Sequence, residues 1–164
     1  MKRTFTISGV FIILCTALAL FFVKVEGLCI YSNEEFVTFL RLHEEDGFTI
    51  SWVHSVEKES WEEMFVISEG EIELTSTRFK TFGAGVPNDA GDHTYIKDGW
   101  VYMTGISQKI GKELVIRTGE STHHKMIYGK DTILTFENQE AYRIEVEKVP
   151  LGQYLAINWR GEER

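Results

Sequence analysis

Apolar and polar residues alternate with a period of two through residues 46–87, which read DGFTISWVHSVEKESWEEMFVISEGEIELTSTRFKTFGAGVP. This period is typical of a β-strand with one buried face. Three such rows follow one another, from Phe48 to His54, from Trp61 to Ile67 and from Ile72 to Arg78. The last two rows are separated by Ser68-Glu69-Gly70-Glu71, where glycine can take the positive φ of a tight turn. The pattern predicts three consecutive antiparallel strands.

Short apolar stretches separated by turn residues continue along most of the remaining chain. Turns at intervals of about ten residues indicate an all-β fold, an antiparallel β-sandwich or barrel-like domain of about 8–10 short strands. We expect Gly83 to Asp98 to be loop, and no further helix after the N-terminal segment. The additional predicted strands are Leu28–Tyr31, Glu35–Leu42, Trp100–Ile106, Glu113–Arg117, Lys125–Tyr128, Thr132–Phe136, Tyr142–Val149 and Gln153–Ile157. For Glu35–Leu42 a helix is the alternative, because Phe36, Phe39 and Leu40 also fit a helical stripe; the turn that follows favours the strand.

The first 25 residues differ from the rest of the chain in their hydropathy. Met1-Lys2-Arg3 is basic, and no charged residue lies from Thr4 to Val23. A run of about 20 apolar residues is long enough to cross a bilayer core as a helix. We expect residues 1–25 to be an uncleaved membrane anchor; a secretory signal cleaved after Ala17-Leu18-Ala19 is the alternative. Lys2 and Arg3 would stay in the cytoplasm, so residues 26–164 would form an extracytoplasmic domain of a single-pass protein, or a secreted one after cleavage.

Charge and cysteine content restrict the partners of this predicted domain. After Val23 there are 15 basic and 25 acidic residues, a net charge of −10. This charge argues against nucleic acid and against anionic membrane surfaces as partners, and it would repel an anionic ligand at long range. Cys29 is the only cysteine beyond the apolar segment, so an internal disulfide is excluded there. No residue pattern indicates a cofactor.

The predicted strand register brings three ionisable residues together. A turn centred on Glu69-Gly70 would place Glu63 opposite Ser76, and Trp61 opposite Arg78. A first loop that pairs Ser55 with Ser60 would place His54 opposite Trp61, and Trp52 opposite Glu63. Cross-strand neighbours lie about 5 Å apart. We therefore expect His54, Glu63 and Arg78 to gather at one end of the apolar face.

Two interpretations of this predicted cluster follow from the cost of burying charge. An unpaired buried charge is expensive, so Glu63 and Arg78 could form a structural ion pair beside His54. Alternatively, Arg78 and the backbone amides of Gly83-Ala84-Gly85 could receive an anion such as a carboxylate. Ion-pair networks imitate ligand sites, and the sequence favours the structural interpretation.

Other combinations of reactive residues do not fit a known chemistry. His54 and Ser55 are adjacent, and adjacent strand residues point to opposite faces, which disfavours a nucleophile–base pair. The same argument disfavours Glu62-Glu63 as a glycosidase pair and His123-His124 as a metal chelate. Asp89, Asp92 and His93 match no calcium or zinc spacing, so no metal site is expected. We expect no enzyme activity.

The central segment nevertheless resembles a known bacterial family. The sequence His54-Ser55-Val56-Glu57, followed by Trp61-Glu62-Glu63, Arg78-Phe79 and Phe82-Gly83-Ala84-Gly85-Val86-Pro87, is similar to the family catalogued as domain of unknown function 1850. The resemblance implies a small exported or membrane-anchored protein without an assigned activity. It also implies a gene context next to tripartite ATP-independent periplasmic (TRAP) transporters of the TAXI type, whose substrates are commonly organic acids. The positions that match the family pattern are His54, Ser55, Glu57, Glu62, Glu63, Arg78, Gly83, Gly85 and Pro87.

Pattern and resemblance together lead to one expected function and two rivals. The expectation is a membrane-anchored extracytoplasmic accessory domain that binds the membrane subunit or the solute-binding protein of a TRAP transporter. The first rival is a sensor in which Arg78 and the glycine amides bind a small organic anion. The second rival is an envelope hydrolase. A pocket with a bound anion would favour the sensor, and an exposed apolar patch without a pocket would favour a protein partner.

Overall fold

A computed structural model describes residues 2–43, 47–83, 85, 87, 90–129 and 132–161, and within the two helices it describes the side chains of residues 11–22 and 151–159. These residues form eleven strands and two helices. The predominance of antiparallel strands confirms the predicted all-β class. In chain order the elements are α1 (Lys2–Phe22), β1 (Lys24–Ser32), β2 (Glu35–Arg41), β3 (Gly47–Val53), β4 (Ser60–Ser68), β5 (Glu71–Phe79), β6 (His93–Lys97), β7 (Trp100–Gly111), β8 (Glu113–Arg117), β9 (Lys125–Tyr128), β10 (Thr132–Thr135), β11 (Ala141–Pro150) and α2 (Leu151–Gly161).

The strands form two sheets that pack face to face. The large sheet has seven strands in the order β10-β9-β3-β4-β5-β7-β6, and the small sheet has four in the order β2-β1-β11-β8. All pairings are antiparallel. Among the described residues neither sheet closes on itself, so the architecture is the sandwich and not the barrel-like alternative.

The hydrophobic core lies between the two sheets. Side chains from the inward row of each strand meet there, and each one that is fully buried contributes about 1.5–3 kcal/mol of transfer free energy. A second, smaller cluster fills the end of the large sheet where β4, β5 and β7 pair. The first cluster is centred on Leu28, Ile30, Phe48, Ile50, Phe65, Ile72, Met126 and Ile144, and the second comprises Trp61, Phe79, Val101 and Met103.

Strand β5 contains a β-bulge at Thr75. Phe65 of β4 pairs with Leu74, whereas the preceding Met64 pairs with Ser76, so Thr75 is the additional residue. The Thr75 hydroxyl donates a hydrogen bond to the carbonyl oxygen of Met64 at 3.1 Å. Because side chains alternate with a period of two, one extra residue exchanges the two faces of the strand beyond it.

The register predicted between β4 and β5 is therefore wrong beyond the bulge. Arg78 pairs with Glu62 and lies on the outer face of the large sheet, while Phe79 pairs with Trp61 and is buried in the core. Thr77, which uninterrupted alternation would expose, is 3% exposed. The predicted pairing of Arg78 with Trp61 does not occur.

The register predicted between β3 and β4 is also wrong, because their connection is longer than expected. Trp52 faces Trp61, and Ile50 faces Glu63. The amide of His54 donates to the carbonyl oxygen of Glu59 at 2.8 Å, which closes a six-residue connection from His54 to Glu59. The observed pairs of Trp52 with Trp61 and of Ile50 with Glu63 replace the predicted pairs of His54 with Trp61 and of Trp52 with Glu63.

Two further elements differ from the prediction. Residues 93–97, predicted as loop, form the edge strand β6; all five are exposed, so they carry no alternation that sequence could reveal. Residues 153–157, predicted as a strand, belong to helix α2. In this helix Tyr154 and Ile157 are three residues apart, on one face, and they pack against the cluster of Cys29, Phe39 and Val149.

Helix α1 precedes the sandwich and meets α2 at its end. The amide of Leu151 donates to the carbonyl oxygen of Val23 at 2.8 Å, and Gly152 lies against the backbone of Leu20. The described side chains from Phe11 to Phe22 are exposed. No helix in the described part of the chain combines the length and the hydropathy that crossing a membrane requires.

Candidate functional site

A cavity of about 420 Å³ opens between the two sheets beside edge strand β8. The large sheet contributes inward residues of β3 and β4, and the small sheet contributes residues 114–117 of β8. The segment before β9 forms the remaining side. The lining residues are Ile50, Trp52, His54, Ser55, Glu63, Phe65, Leu114, Val115, Ile116, Arg117, Thr122 and His124.

The lining of the cavity combines apolar and polar residues. Ile50, Phe65, Leu114 and Ile116 present aliphatic and aromatic surface. The polar groups are the side chains of two histidines, one glutamate, one arginine, one serine and one threonine. Small-molecule sites in proteins also combine apolar surface with polar groups that orient the ligand.

Four aromatic rings form a column beside the cavity, and three of them line it. The rings of His54 and Trp61 are stacked with their centroids 5.7 Å apart, Trp61 stacks on Trp52 at 5.2 Å, and Trp52 stacks on His124 at 5.7 Å. Each end of this ring column is therefore a histidine. Since stacking fixes the ring planes, the column holds both imidazoles in defined orientations at the cavity.

The turn that follows β3 fixes the tautomer of the neutral His54 side chain. Residues 55–57 form the turn, in which the backbone amide of Glu57 donates to Nδ1 of His54 at 3.1 Å and the amide of Lys58 donates to the His54 carbonyl oxygen at 2.9 Å. Because Nδ1 accepts a hydrogen bond, the proton of the neutral imidazole resides on Nε2. The turn also carries Ser55 to the cavity, so His54 and Ser55 line the same space. Both residues lie outside β3, so the argument from strand alternation does not apply to this pair.

His124 is held by Thr122 at the other end of the ring column. The Thr122 hydroxyl and Nδ1 of His124 are 2.8 Å apart, and the amide of Gly119 donates to the same hydroxyl at 2.8 Å. Both side chains are buried. Burial lowers the pKa of His124, because desolvation disfavours the imidazolium.

Glu63 lines the cavity and has no partner among the residues that the structure describes. Among the described residues no hydrogen bond or ion pair reaches its carboxylate. Burial raises the pKa of the Glu63 carboxyl, because the charged form loses its hydration. A carboxylate in this state gains stability from any group that donates hydrogen bonds or carries positive charge.

Arg78 and Glu62 form an ion pair on the opposite face of the large sheet. Nε of Arg78 donates to Oε2 of Glu62 at 2.7 Å, and a terminal guanidinium nitrogen lies 2.6 Å from the same oxygen. The other terminal nitrogen donates to the Tyr102 hydroxyl at 3.0 Å, and the guanidinium stacks 4.4 Å above the Trp100 ring. Desolvation alone would lower the pKa of Arg78, but the hydrogen bonds to Tyr102 and Glu62 raise it overall.

The predicted ion pair between Glu63 and Arg78 is therefore wrong, because Arg78 pairs with a different glutamate. The arginine is paired, but its carboxylate partner is Glu62 on the outer face. His54 and Glu63 do meet at one end of the inner face, where both line the cavity.

Glu57 and Gly83 make a separate contact beside the turn after β3. A methyl group added to Gly83 would overlap the carboxylate of Glu57, so a larger residue there would require the Glu57 side chain to move. Gly85 has a positive φ of 83° and open space around its Cα. Ala84, the middle amide of the predicted anion site, lies outside the described residues. The described contacts of Arg78 are with Glu62, Tyr102 and Trp100 and include neither glycine.

Sequence patterns identified some of the cavity residues and missed others. His54, Ser55 and Glu63 were among the predicted site residues, whereas Arg117, Thr122 and His124 were not. His124 continues the buried row of Met126 and Tyr128 in β9, a period-two signal that could have identified it. Within the described residues no cluster of three His, Cys, Asp or Glu side chains could hold a metal; Asp89 of the considered metal set lies outside them.

A protein family matches the same part of the chain. The family described as domain of unknown function (DUF1850) matches residues 48–134. This range contains all the residues that line the cavity, together with β4 to β9 and nearly all of β3 and β10. No curated protein and no solved structure matches the chain. The match extends over more than half of the sequence, and the chain belongs to the DUF1850 family.

Proposed function

We propose that this protein binds a small organic molecule in the cavity between its two sheets. The observation that carries the proposal is the convergence of His54, Ser55 and Glu63, picked out by their sequence pattern, on a cavity of about 420 Å³. Ligand cavities in proteins commonly measure about 300–1,000 Å³. The ring column and the Thr122–His124 hydrogen bond support this proposal, since they hold polar groups in defined orientations beside the cavity.

The proposed location is the outer face of a bacterial membrane, with α1 as anchor. The uncharged run from Thr4 to Val23 and the basic Lys2 and Arg3 support this proposal. Apolar side chains such as Phe11, Phe21 and Phe22 are exposed along α1, as contact with lipid would require. A secreted form after cleavage of the segment is the alternative within the same proposal.

Association with a TAXI-type TRAP transporter is the proposed context of this binding. The resemblance of the central motifs to the family supports it, and the outer face of the large sheet offers a surface for such a partner. Edge strand β6 is exposed along its whole length, and Ile96 is 74% exposed next to Tyr95, which stacks on Tyr102. Aromatic and arginine side chains are enriched at protein interfaces. Co-purification of the transporter's membrane subunit or solute-binding protein, lost on Ile96→Lys, would test this context.

Ligand binding is tested by isothermal titration of the full-length protein with a panel of small metabolites that includes acids, amines, amino acids and sugars. A ligand at a hundred times its dissociation constant should add about 2.7 kcal/mol to the free energy of unfolding. Ser55→Trp, which places a large side chain at the cavity, should abolish binding, whereas Val56→Trp at the neighbouring exposed position should not. Binding that survives Ser55→Trp unchanged would move the site elsewhere, and a panel without any binder would refute the proposal.

A further inference from the structure

Helix α2 carries apolar side chains on two opposite faces. Its inward face contains Tyr154 and Ile157, which pack against the small sheet. Since successive residues of a helix are about 100° apart, Leu155 and Trp159 lie on a second face, about 150° away from the inward one. Their side chains are 49% and 72% exposed. Packing on the sandwich accounts for the inward face of α2 but not for this second face.

This second face, which we call the outer face of α2, contains no polar side chain. Gln153 and Asn158 are exposed and lie on the two flanks of the helix, between its inward and outer faces. No charged residue occurs from Leu151 to Trp159. An exposed apolar surface bordered by polar residues marks contact with a partner or with a membrane. The outer face comprises Leu151, Gly152, Leu155, Ala156 and Trp159.

The outer face begins where α2 meets α1. Gly152 lies against the backbone and the Cβ of Leu20, and the amide of Leu151 donates to the carbonyl oxygen of Val23 at 2.8 Å. Leu20 precedes Lys24, the first charged residue after the apolar run, by about one helical turn, or about 5 Å. The first turn of α2 is therefore at the level of the last apolar turn of α1.

We infer that the outer face of α2 lies in the surface of the bilayer that α1 is proposed to span, with Leu155 and Trp159 inserted at the boundary of headgroups and acyl chains. This inference rests on the proposed location and adds a second contact with lipid to it. Helices that lie in a membrane surface bury their apolar face about 5–10 Å deep. The contact with Leu20 places α2 at that depth when Lys24 marks the polar boundary. Tryptophan is enriched at this boundary, because its ring is amphipathic.

The neighbouring helix favours lipid over a protein as the occupant of the outer face. The described side chains of α1, residues 11–22, are exposed and largely apolar, and they meet the outer face of α2 at Leu20. The two helices thus present one continuous apolar surface, of which a protein partner on α2 would cover only a part. The net charge of −10 after Val23 disfavours anionic lipid, so the expected contact is with acyl chains of zwitterionic lipids.

Quenching of tryptophan fluorescence by brominated lipid tests this contact. The full-length protein is reconstituted into phosphatidylcholine vesicles whose acyl chains carry bromine near the headgroup, and the vesicles are recovered by flotation. The chain has four tryptophans. Relative to vesicles without bromine, we expect the loss of the share of the emission that Trp159 contributes, and we expect Trp159→Phe to abolish this loss. Trp100→Phe, the same substitution in the large sheet, should leave the loss unchanged.

A matched pair of introduced tryptophans maps the face that meets lipid. In the Trp159→Phe protein, Leu155→Trp adds an indole to the outer face and should restore quenching. Gln153→Trp adds one to the flank and should be quenched clearly less. Circular dichroism of each variant establishes that the sandwich is folded. Equal quenching at the two positions would overturn the proposed orientation of α2.

The outcomes separate this inference from the proposed location. If the protein floats with the vesicles and Trp159→Phe does not change the quenching, α1 anchors the protein while α2 lies away from lipid, and the inference is overturned. If the Trp159 emission is shifted to the blue but is not quenched, a second copy of the chain covers the outer face, which also overturns the inference. If the protein does not float, the proposed location fails and the contact of α2 with lipid fails with it.

Discussion

Replacing Thr77 by valine tests the most consequential structural departure from the sequence pattern, the bulge at Thr75. Beyond the bulge Thr77 is buried, with 3% of its surface exposed, next to Trp61 at 8%. The indole N–H of Trp61 donates to the Thr77 hydroxyl at 2.8 Å, and that hydroxyl lies 3.0 Å from the carbonyl oxygen of Glu62, to which it donates. Thr77→Val keeps the branched shape of the side chain and removes both hydrogen bonds.

The expected loss follows from the groups that lose their partner. Valine fills nearly the same volume and suits a strand equally well, so packing and strand propensity change little. The buried indole N–H of Trp61 is left without an acceptor, and a buried donor without a partner costs about 1–3 kcal/mol. We expect the free energy of unfolding to fall by that amount. In a chain of this size each kcal/mol lowers the melting temperature by about 2–4 °C.

Urea unfolding of the full-length protein, followed by far-ultraviolet circular dichroism, measures this loss. Trp61→Phe supplies the matched background, because it removes the N–H that Thr77→Val would strand. We expect Thr77→Val to cost clearly less in the Trp61→Phe protein than in the wild type. A substitution of a surface residue usually changes the free energy of unfolding by less than about 0.5 kcal/mol. A near-zero effect in both backgrounds would mean that Thr77 faces solvent and that the strand has no bulge.

Three further predictions concern ionisable groups. In a double-mutant cycle of Arg78→Gln and Glu62→Gln, the coupling should be at most about 1 kcal/mol and should shrink at high salt, because the two side chains are 31% and 15% exposed; a coupling of several kcal/mol would contradict this partial solvation. Burial raises the pKa of the Glu63 carboxyl, so the folded state binds more protons than the unfolded state above the usual glutamate pKa; stability should fall as pH rises through that range, and Glu63→Gln should abolish this fall in urea titrations. Burial lowers the pKa of His124, so the unfolded state binds more protons below a pH of about 6.5; stability should decline as pH falls from there, and a pH profile unchanged by His124→Gln would refute the assignment.

The strands of the sandwich were predictable because most of them bury one face. Alternation of apolar and polar residues identified β3, β4 and the first half of β5, and it identified β8 and β9 with the bounds observed. The edge strand β6 was not predicted, because none of its residues is buried and its sequence shows no alternation. Helix α2 was not predicted because its short apolar pattern also fits a strand, and only the packing of Tyr154 and Ile157 against β1, β2 and β11 distinguishes the two.

The candidate site was only partly predictable, because it joins distant parts of the chain. His54 and Glu63 share the inner face of neighbouring strands, and local alternation was sufficient to bring them together. Arg78 was assigned to the same face because a single inserted residue, Thr75, leaves no signature in the hydrophobic pattern. Arg117 reaches the cavity only through the packing of the small sheet on the large one, and no local pattern encodes that arrangement.

The stacked pair of Trp52 and Trp61 should give the folded protein a characteristic circular dichroism signal. Their ring centroids are 5.2 Å apart with an interplanar angle of 21°, and two indoles this close share their electronic excitations. The coupled transitions should give the folded protein a pair of circular dichroism bands of opposite sign that isolated indoles lack. Since the His124 ring also stacks on Trp52, a molecule that displaces this imidazole from the cavity wall would shift the bands. The protein thus contains its own optical reporter for the space between its sheets.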